Sequence, residues 1–372
     1  MNDLRRYLRS PYYWRRAWLR LTETVTRRIH PEALLGDVLA SGVRLGTSAA
    51  GGAPGPATGL RLLYVAPRHE NGNPARGLSY EENHFLPALA ALGFDVLPLD
   101  SLGLVRRAGR RVASEVLVEA AFRYRPEVAF FVLFRDDFEP EAVEEVRRLG
   151  CTTFNWFADD HWRFESFSRR WAPRFAWAVT TDPRAPARYR EHRIAHVIRS
   201  QWGVNHHLFR PLNRPCRFDV TFIGQPHGRR RAVLRALARA GLDVRAWGYG
   251  WRGGRVSTHR AVEIVNESAV NLNLSNAVTG TVDQIKGRDF EVPACRALLL
   301  TQRVEALDDY YDPGTEVLVY DGLDDLVDRA RWALGHPGEA DRIRDAGYRR
   351  VLREHTYERR FLDIFRRAGV VP

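Results

Sequence analysis

Short apolar runs alternate with helix-forming segments along most of this chain, and the alternation runs twice. The first series holds LRLLYVA (60–66), FDVLPLD (94–100), EVAFFVLF (127–134), TTFNWF (152–157), WAVTTD (177–182) and AHVIRS (195–200). The second holds DVTFIG (219–224), DVRAWG (243–248), AVNLNLS (269–275), ALLLT (297–301) and EVLVY (316–320). Ser79 and Glu82 form a capping-box signature for a helix ending near Gly93, with Pro87 inside it expected to bend or break it. Further helices are expected near 112–123, 139–149, 229–240, 260–268, around Glu291, and over 323–335, 338–353 and 357–367. Apolar strands alternating with helices specify a parallel sheet covered on both faces. The Pro- and Asn-containing stretch QWGVNHHLFRPLNRPCR (201–217) separates the two series, so the fold class is α/β with two Rossmann-like domains.

At 372 residues the chain is long for one domain, and two of roughly 150 residues each are the default. The expected boundaries are an N-terminal extension over 1–45, a linker over 46–59, domains over 60–205 and 206–355, and a last segment over 356–372. The linker stretch GTSAAGGAPGPATG (46–59) has almost no side chains able to pack, which marks a flexible tether. No run approaches the length and apolarity of a membrane-spanning helix, and no secretory signal opens the chain. Cys151, Cys216 and Cys295 are scattered and odd in number, so neither a disulfide framework nor a thiolate metal site is expected, and a reducing cytoplasm fits.

The formal charge is +12, and Lys286 is the only lysine, so nearly all the positive charge is arginine. Such a surplus favours anionic partners. Residues 1–31 carry eight arginines among Tyr7, Tyr12, Tyr13, Trp14 and Trp18. Arginines beside aromatics suit the headgroup layer of an anionic membrane, and they equally suit a helix packed on the protein body. The first alternative gives a chain peripheral at the inner membrane face.

In open α/β sheets ligands sit beyond the carboxyl ends of the strands, so the loops after strands are where chemistry belongs. RHENGNPARG (68–77) offers Gly72 and Gly77 for close backbone approach and His69, Glu70 and Asn71 as polar contacts for an acceptor. It is not a G-x-G-x-x-G loop, so a nicotinamide or flavin fingerprint is absent there. In ADDHWRF (158–164) one of Asp159 and Asp160 suits a helix cap, while the other, or His161, suits a general base towards an acceptor hydroxyl. No metal-ligand spacing accompanies them. In IGQPHGRRR (223–231) Gly224 ends a strand, and Arg229, Arg230 and Arg231 open a helix. Cations at a helix N-terminus oppose the macrodipole unless an anion lies between them, as a diphosphate would.

The last stretch is KGRDFEVPACRALLLT (286–301). Glu291 there either complements the dipole of its helix or accepts hydrogen bonds from the two hydroxyls of a ribose, with Lys286 and Arg288 compensating phosphate charge. Asp283 lies eight positions earlier, giving an acid, seven residues, then a glutamate.

GRDFEVPACRALLLTQRVEALDDYYDPGTEVLVYDGLDDL (287–326), with EHTYERRFLDIF (354–365), resembles the C-terminal half of CgeB-like glycosyltransferases of the spore-maturation type. FNWFADDHWRF, DVTFIGQPHGRRR and the Trp247 to Trp251 segment are similar to that group as well, and the resemblance runs from about residue 150 onward. It implies GT-B architecture: two facing Rossmann-like domains, a cleft between them, and a C-terminal helix returning to the first. It implies sugar transfer from a nucleoside diphosphate without a bound metal or other cofactor, with retention of configuration. Carried over from related retaining enzymes, the acid pair puts Glu291 on the ribose and Asp283 near the sugar. Two positions depart from the pattern: the first acid is Asp rather than Glu, and Arg296 stands where a glycine often ends the helix.

The expected partners are therefore a nucleotide sugar held by Gly224, Arg229, Arg231, Lys286, Arg288 and Glu291, and an acceptor glycan, lipid, protein or metabolite. An inverting route with Asp159, Asp160 or His161 as base stays open. So do a sugar-nucleotide epimerase of the same architecture and a non-catalytic basic protein on anionic membrane or nucleic acid. No helix-turn-helix, zinc-finger or RNP signature supports a nucleic-acid partner.

Overall fold

A computed structural model describes residues 31–40, 55–277, 279 and 282–372. The basic aromatic stretch over 1–30 and most of the expected tether (46–54) lie outside the described residues. The chain divides into two compact units, one formed by residues up to Ser200 with Phe361–Pro372, the other by Gln201–Arg360. Among the described residues no helix is long and apolar enough to cross a membrane. All three cysteines are free.

The first unit opens with α1 (Pro31–Ala40), whose Leu34, Leu35 and Val38 are buried in the core. This corrects the expectation that everything before residue 46 is an extension: one face of the helix is apolar, and the fold covers it. The end of the expected tether is also packed, because Ala57 N–H donates to Leu92 O at 3.0 Å and the Ala57 side chain is buried. Next come β1 (Arg61–Ala66), α2 (Tyr80–Ala91), β2 (Asp95–Asp100), α3 (Ser101–Tyr124), β3 (Val128–Phe131), α4 (Pro140–Arg148) and β4 (Thr152–Phe157). The short α5 (Asp160–Arg163), β5 (Trp177–Thr180), α6 (Ala185–Glu191) and β6 (Val197–Arg199) complete it. The six strands are parallel in the order β2-β1-β3-β4-β5-β6.

Ser79 caps α2 as its sequence signature predicts, its Oγ accepting from Glu82 N–H at 3.0 Å. Pro87, however, lies inside a helix that continues to Ala91. Helix α3 begins eleven residues earlier than expected, because Asp100 at the end of β2 accepts from Gly103 N–H and starts it there. Its break is internal, at Gly109, where φ is 79°. Arginines and glycines in 103–111 conceal this first half from apolar periodicity.

In the second unit the order is β7 (Phe218–Ile223), α7 (Arg230–Arg239), β8 (Val244–Trp247), α8 (Thr258–Asn266), β9 (Ser268–Asn273), α9 (Arg288–Ala294), β10 (Leu299–Gln302) and β11 (Leu318–Tyr320). Then come α10 (Leu323–Gly335), α11 (Pro337–Glu354) and α12 (Tyr357–Arg367). The parallel sheet runs β11-β10-β9-β7-β8, with one apolar cluster around Phe290, Tyr311 and Val351 and another around Phe222, Leu272 and Ile343.

The closing residues of α12 belong to the first unit. Phe361 meets Phe85 and Phe130 edge-on at 5.2 Å each, and Phe365 meets Phe94 at 5.1 Å and Phe154 at 5.4 Å. Edge-to-face pairs of this kind add about 0.5–1.5 kcal/mol each beyond burial.

Candidate functional site

In the second sheet the chain leaves β7 for β8 on one side and for β9 on the other, so the topological switch lies between β7 and β9. Loops leaving the carboxyl ends of such neighbours diverge to opposite faces and open a crevice for ligands. The two loops here are 224–229 and 274–287, which hold four of the seven donor-side residues singled out above, Gly224, Arg229, Asp283 and Lys286, while Arg231 and Arg288 stand at the start of the helices that follow. Glu291 follows within α9.

Arg230 ties these loops together. It is buried, and it donates from Nε to Asn276 Oδ1 (3.0 Å), from Nη1 to Gln225 O (3.0 Å), and from Nη2 to Leu274 O (2.7 Å) and Asn276 O (3.0 Å). Burial pulls its guanidinium down to about 10. Sequence reasoning grouped three arginines as one anion site; the structure instead makes the middle one a brace, while Arg229 and Arg231 remain exposed. Arg231 lies over the Trp251 ring at 5.0 Å and donates to Gly250 O at 2.7 Å. Trp251 Nε1 donates to Gly224 O at 2.7 Å, and a Cβ on Gly224 would meet the Phe222 ring at 2.8 Å. A glycine is therefore required at the end of β7 by packing.

Positive charge gathers at this edge. His227 has its pKa lowered by burial, then by Arg230 and Lys286, which puts both cations near its ring. Asp283 is exposed, pairs by an isolated antiparallel bridge with Asn276, and accepts from Gln302 Nε2 at 2.7 Å.

Three charged residues at the start of α9 divide their work. Asp289 is buried and accepts from Lys286 N–H (2.8 Å), Asn273 Nδ2 (2.8 Å) and Thr301 Oγ1 (2.6 Å). Burial raises its pKa, opposed by those three donors. It pins the helix to β9 and β10, a role the sequence reading did not assign. Arg288 Nη1 lies 2.8 Å from Glu291 Oε2, and Glu291 is buried. The helix ends at Arg296 with φ 53°, the left-handed conformation a glycine adopts most cheaply, so the arginine keeps the backbone that glycine would give there.

In the first unit the loop after β1 is ordered by its own hydrogen bonds. Glu70 N–H donates to Gly77 O, Gly72 N–H to His69 O, and Arg106 Nη1 to Gly72 O at 2.7 Å. Asn71 is exposed and left-handed at φ 53°. His69 borders a cavity of about 450 Å³ shared with Leu34, Tyr64, Leu86, Leu104 and Arg107.

After β4, Asp159 occupies the N-cap position of α5 but makes no side-chain cap bond. Asp160 is fully buried and accepts from the Tyr189 hydroxyl at 3.0 Å; burial raises it to about 6. As a base for an acceptor hydroxyl it is corrected: its carboxyl faces the interior of the unit. His161 Nε2 lies 4.0 Å from Asp182 Oδ1 and is largely shielded. The sequence reading missed Glu81, which burial lifts to about 7 with Asp159 and Glu70 adding to the rise. An acid in the first turn of a capped helix is too common to stand out in sequence.

Residues 229–366 match the protein family described as Glycosyl transferase-like. Spore protein CgeB of Bacillus subtilis (strain 168) is 22% identical over 209 residues, covering 48% of this chain and 64% of that protein, so the match spans less than two thirds of the relative's length. Among solved structures, sucrose-phosphate synthase tll1590 of Thermosynechococcus elongatus superposes with a TM-score of 0.57 at 12% identity, over 83% of this chain and 99% of that one. A glycosyltransferase from Rickettsia africae ESF-5 gives 0.58 at 11% identity, over 83% and 98%. Anabaena Alr3699/HepE in complex with UDP gives 0.56 at 10% identity, over 84% and 100%. The fold is that of the GT-B glycosyltransferases, two Rossmann-like units in one chain.

Proposed function

We infer that the chain is a glycosyltransferase that moves a sugar from a nucleoside diphosphate to an acceptor hydroxyl, holding the donor at the carboxyl edge of its second sheet. The observation that carries this reading is the Arg230 brace. It gathers the loops after β7 and β9 at the switch point and leaves Lys286, Arg229, Arg231 and the amide end of α7 around them. In the transfer the bond from the anomeric carbon to the diphosphate oxygen breaks, its electron pair leaving with the diphosphate, while the acceptor oxygen bonds that carbon and its proton passes to the departing phosphate oxygen. Fixed cations and helix amides stabilise that developing charge, which is the work a metal ion does in other transferases.

Glu291 takes the ribose hydroxyls and Asp283 faces the sugar. Arg288, paired with Glu291, orients that carboxylate, and the diphosphate is left to Lys286, Arg229 and Arg231. His69, Glu70, Asn71 and Asp159 belong to the acceptor side. The acid-x7-acid resemblance supports a retaining, metal-independent route. HepE has been solved with UDP and with UDP-glucose, which supports a uridine nucleotide as the first donor to test.

Release of nucleoside diphosphate from UDP-, GDP- and dTDP-sugars, with and without EDTA, tests the activity, and the anomer of the product read by NMR tests retention. Conversion of a sugar nucleotide without any acceptor would move the assignment to an epimerase. Steeply salt-dependent binding of duplex DNA, with no response to any sugar nucleotide, would move it to a basic binding protein.

A further inference from the structure

We propose that His206, His207 and Glu358 form a binding site for a divalent transition-metal ion, zinc first, within the second unit. Their donor atoms lie within 4.8 Å of one another, and they are the candidate cluster of this kind among the described residues. His206 Nδ1 is 3.5 Å from Glu358 Oε2, and His207 Nε2 is 3.7 Å from Glu358 Oε1. The two imidazole rings are 4.0 Å apart and tilted by 38°.

Ligand atoms about 2.0–2.1 Å from a tetrahedral zinc ion stand roughly 3.3 Å from each other. The two measured separations exceed that by a few tenths of an ångström and the set as a whole lies within 4.8 Å, so the site closes on an ion through side-chain rotation. An ordinary ion pair explains one imidazole beside one carboxylate. It does not explain two imidazoles placed on the two oxygens of the same carboxylate. Nor does it explain why His206 Nδ1 and Glu358 Oε2, both shielded from solvent, stand 3.5 Å apart, longer than a well-formed hydrogen bond. Shielded polar atoms held at so long a contact are weakly satisfied, and a cation between them would engage both.

The backbone that presents the ligands is already fixed. Val204 N–H donates to His355 O and Val204 O accepts from Tyr357 N–H, each at 3.1 Å, and Asn205 Oδ1 accepts from His207 N–H at 3.1 Å. Val204 and Phe209 anchor the histidine segment in the core on either side. Two imidazoles and one carboxylate suit zinc and its transition-metal neighbours, and they disfavour magnesium, which prefers oxygen ligands and keeps its waters. With three protein ligands the fourth tetrahedral position holds water. The ion would clip the segment leading into the second unit to the segment leaving it, so its effect is stabilisation of that unit. This proposal does not rest on the sugar-transfer reading.

Cobalt(II) titrated into the full chain is the direct probe, since tetrahedral cobalt with nitrogen ligands absorbs in the visible. One equivalent should give that band, zinc should abolish it, and zinc but not magnesium should raise the melting midpoint. His206→Ala, His207→Ala and Glu358→Gln should each weaken binding by at least the roughly 10–100-fold that loss of an outer-shell partner already costs. His207 is largely exposed, so His207→Ala keeps the fold, and its metal-free midpoint should match that of the parent. Absence of a saturable cobalt band overturns the proposal. So does an unchanged affinity in His207→Ala, because the ion would then sit on other histidines of the chain.

Discussion

Arg288 and Glu291 stand one turn apart on α9 and form a shielded ion pair, Nη1 to Oε2 at 2.8 Å. The charges at the mouth of the apolar β10 segment are therefore organised among themselves before any ligand arrives. Asp289 fastens the helix, and Arg288 holds the carboxylate of Glu291 in place.

Removing one partner of this pair takes away the opposite charge that lies 2.8 Å from a shielded group. Arg288→Ala should destabilise the protein by about 3 kcal/mol, and Arg288→Ala/Glu291→Ala should cost less than the sum of the two single changes. Urea unfolding of the four proteins of the cycle measures this. Additive costs would mean that the pair is not coupled.

The brace and its neighbours should separate cleanly. Arg230→Met strips hydrogen bonds from several carbonyls at once and should cost about 3 kcal/mol or more of stability. Arg229→Ala changes an exposed side chain and should stay within about 0.5 kcal/mol of the parent. Denaturant midpoints read both, and a mild effect of Arg230→Met would remove the brace from the account.

Glu81 gives a pH signature. Its folded pKa is raised from 4.5 to about 7, chiefly by burial, so between those values the folded state binds more protons than the unfolded one. Stability from this residue is full below about pH 4.5 and is lost as pH rises to 7, by up to about 3 kcal/mol. Glu81→Gln should flatten that part of the profile and be more stable than the parent at pH 7.5. Parallel profiles for parent and variant between pH 4.5 and 7 would contradict it.

His355 carries the opposite sign. Arg360 Nη2 donates to its Nδ1 at 3.0 Å, so its Nε2 must bear the proton and donate to Tyr310 O at 2.7 Å. Burial, then Arg360, lowers the pKa from 6.5 to about 4. The contribution is present above pH 6.5 and is lost as pH falls towards 4. An NMR titration should find this imidazole neutral at pH 5.5, and a midpoint near 6.5 would refute the assignment.

The sheets were legible because their strands are buried on both faces and so read as unbroken apolar runs. Ser79 was legible because a cap is a local bond between residues three apart. What stayed hidden was tertiary. Nothing in RRR tells which arginine turns inward; that is decided by carbonyls 44 to 46 residues away. Glu81 and Asp160 look like ordinary first-turn acids until their burial is known. Glu358 is too far along the chain from the adjacent His206 and His207 for spacing to bring them together. Helix α3 was half-missed because its first turns are arginine-rich, and α1 because it was grouped with the basic stretch before it.

The central claim is that the carboxyl edge of the second sheet grips a nucleotide sugar through Glu291. Thermal melting with and without each UDP-, GDP- and dTDP-sugar, in the parent and in Glu291→Ala, tests it most directly. A donor at 100 times its dissociation constant should raise parental stability by about 2.7 kcal/mol. The account predicts that this ligand-induced rise is largely lost in Glu291→Ala, whatever happens to the ligand-free midpoint. A rise of the same size in both proteins would contradict it.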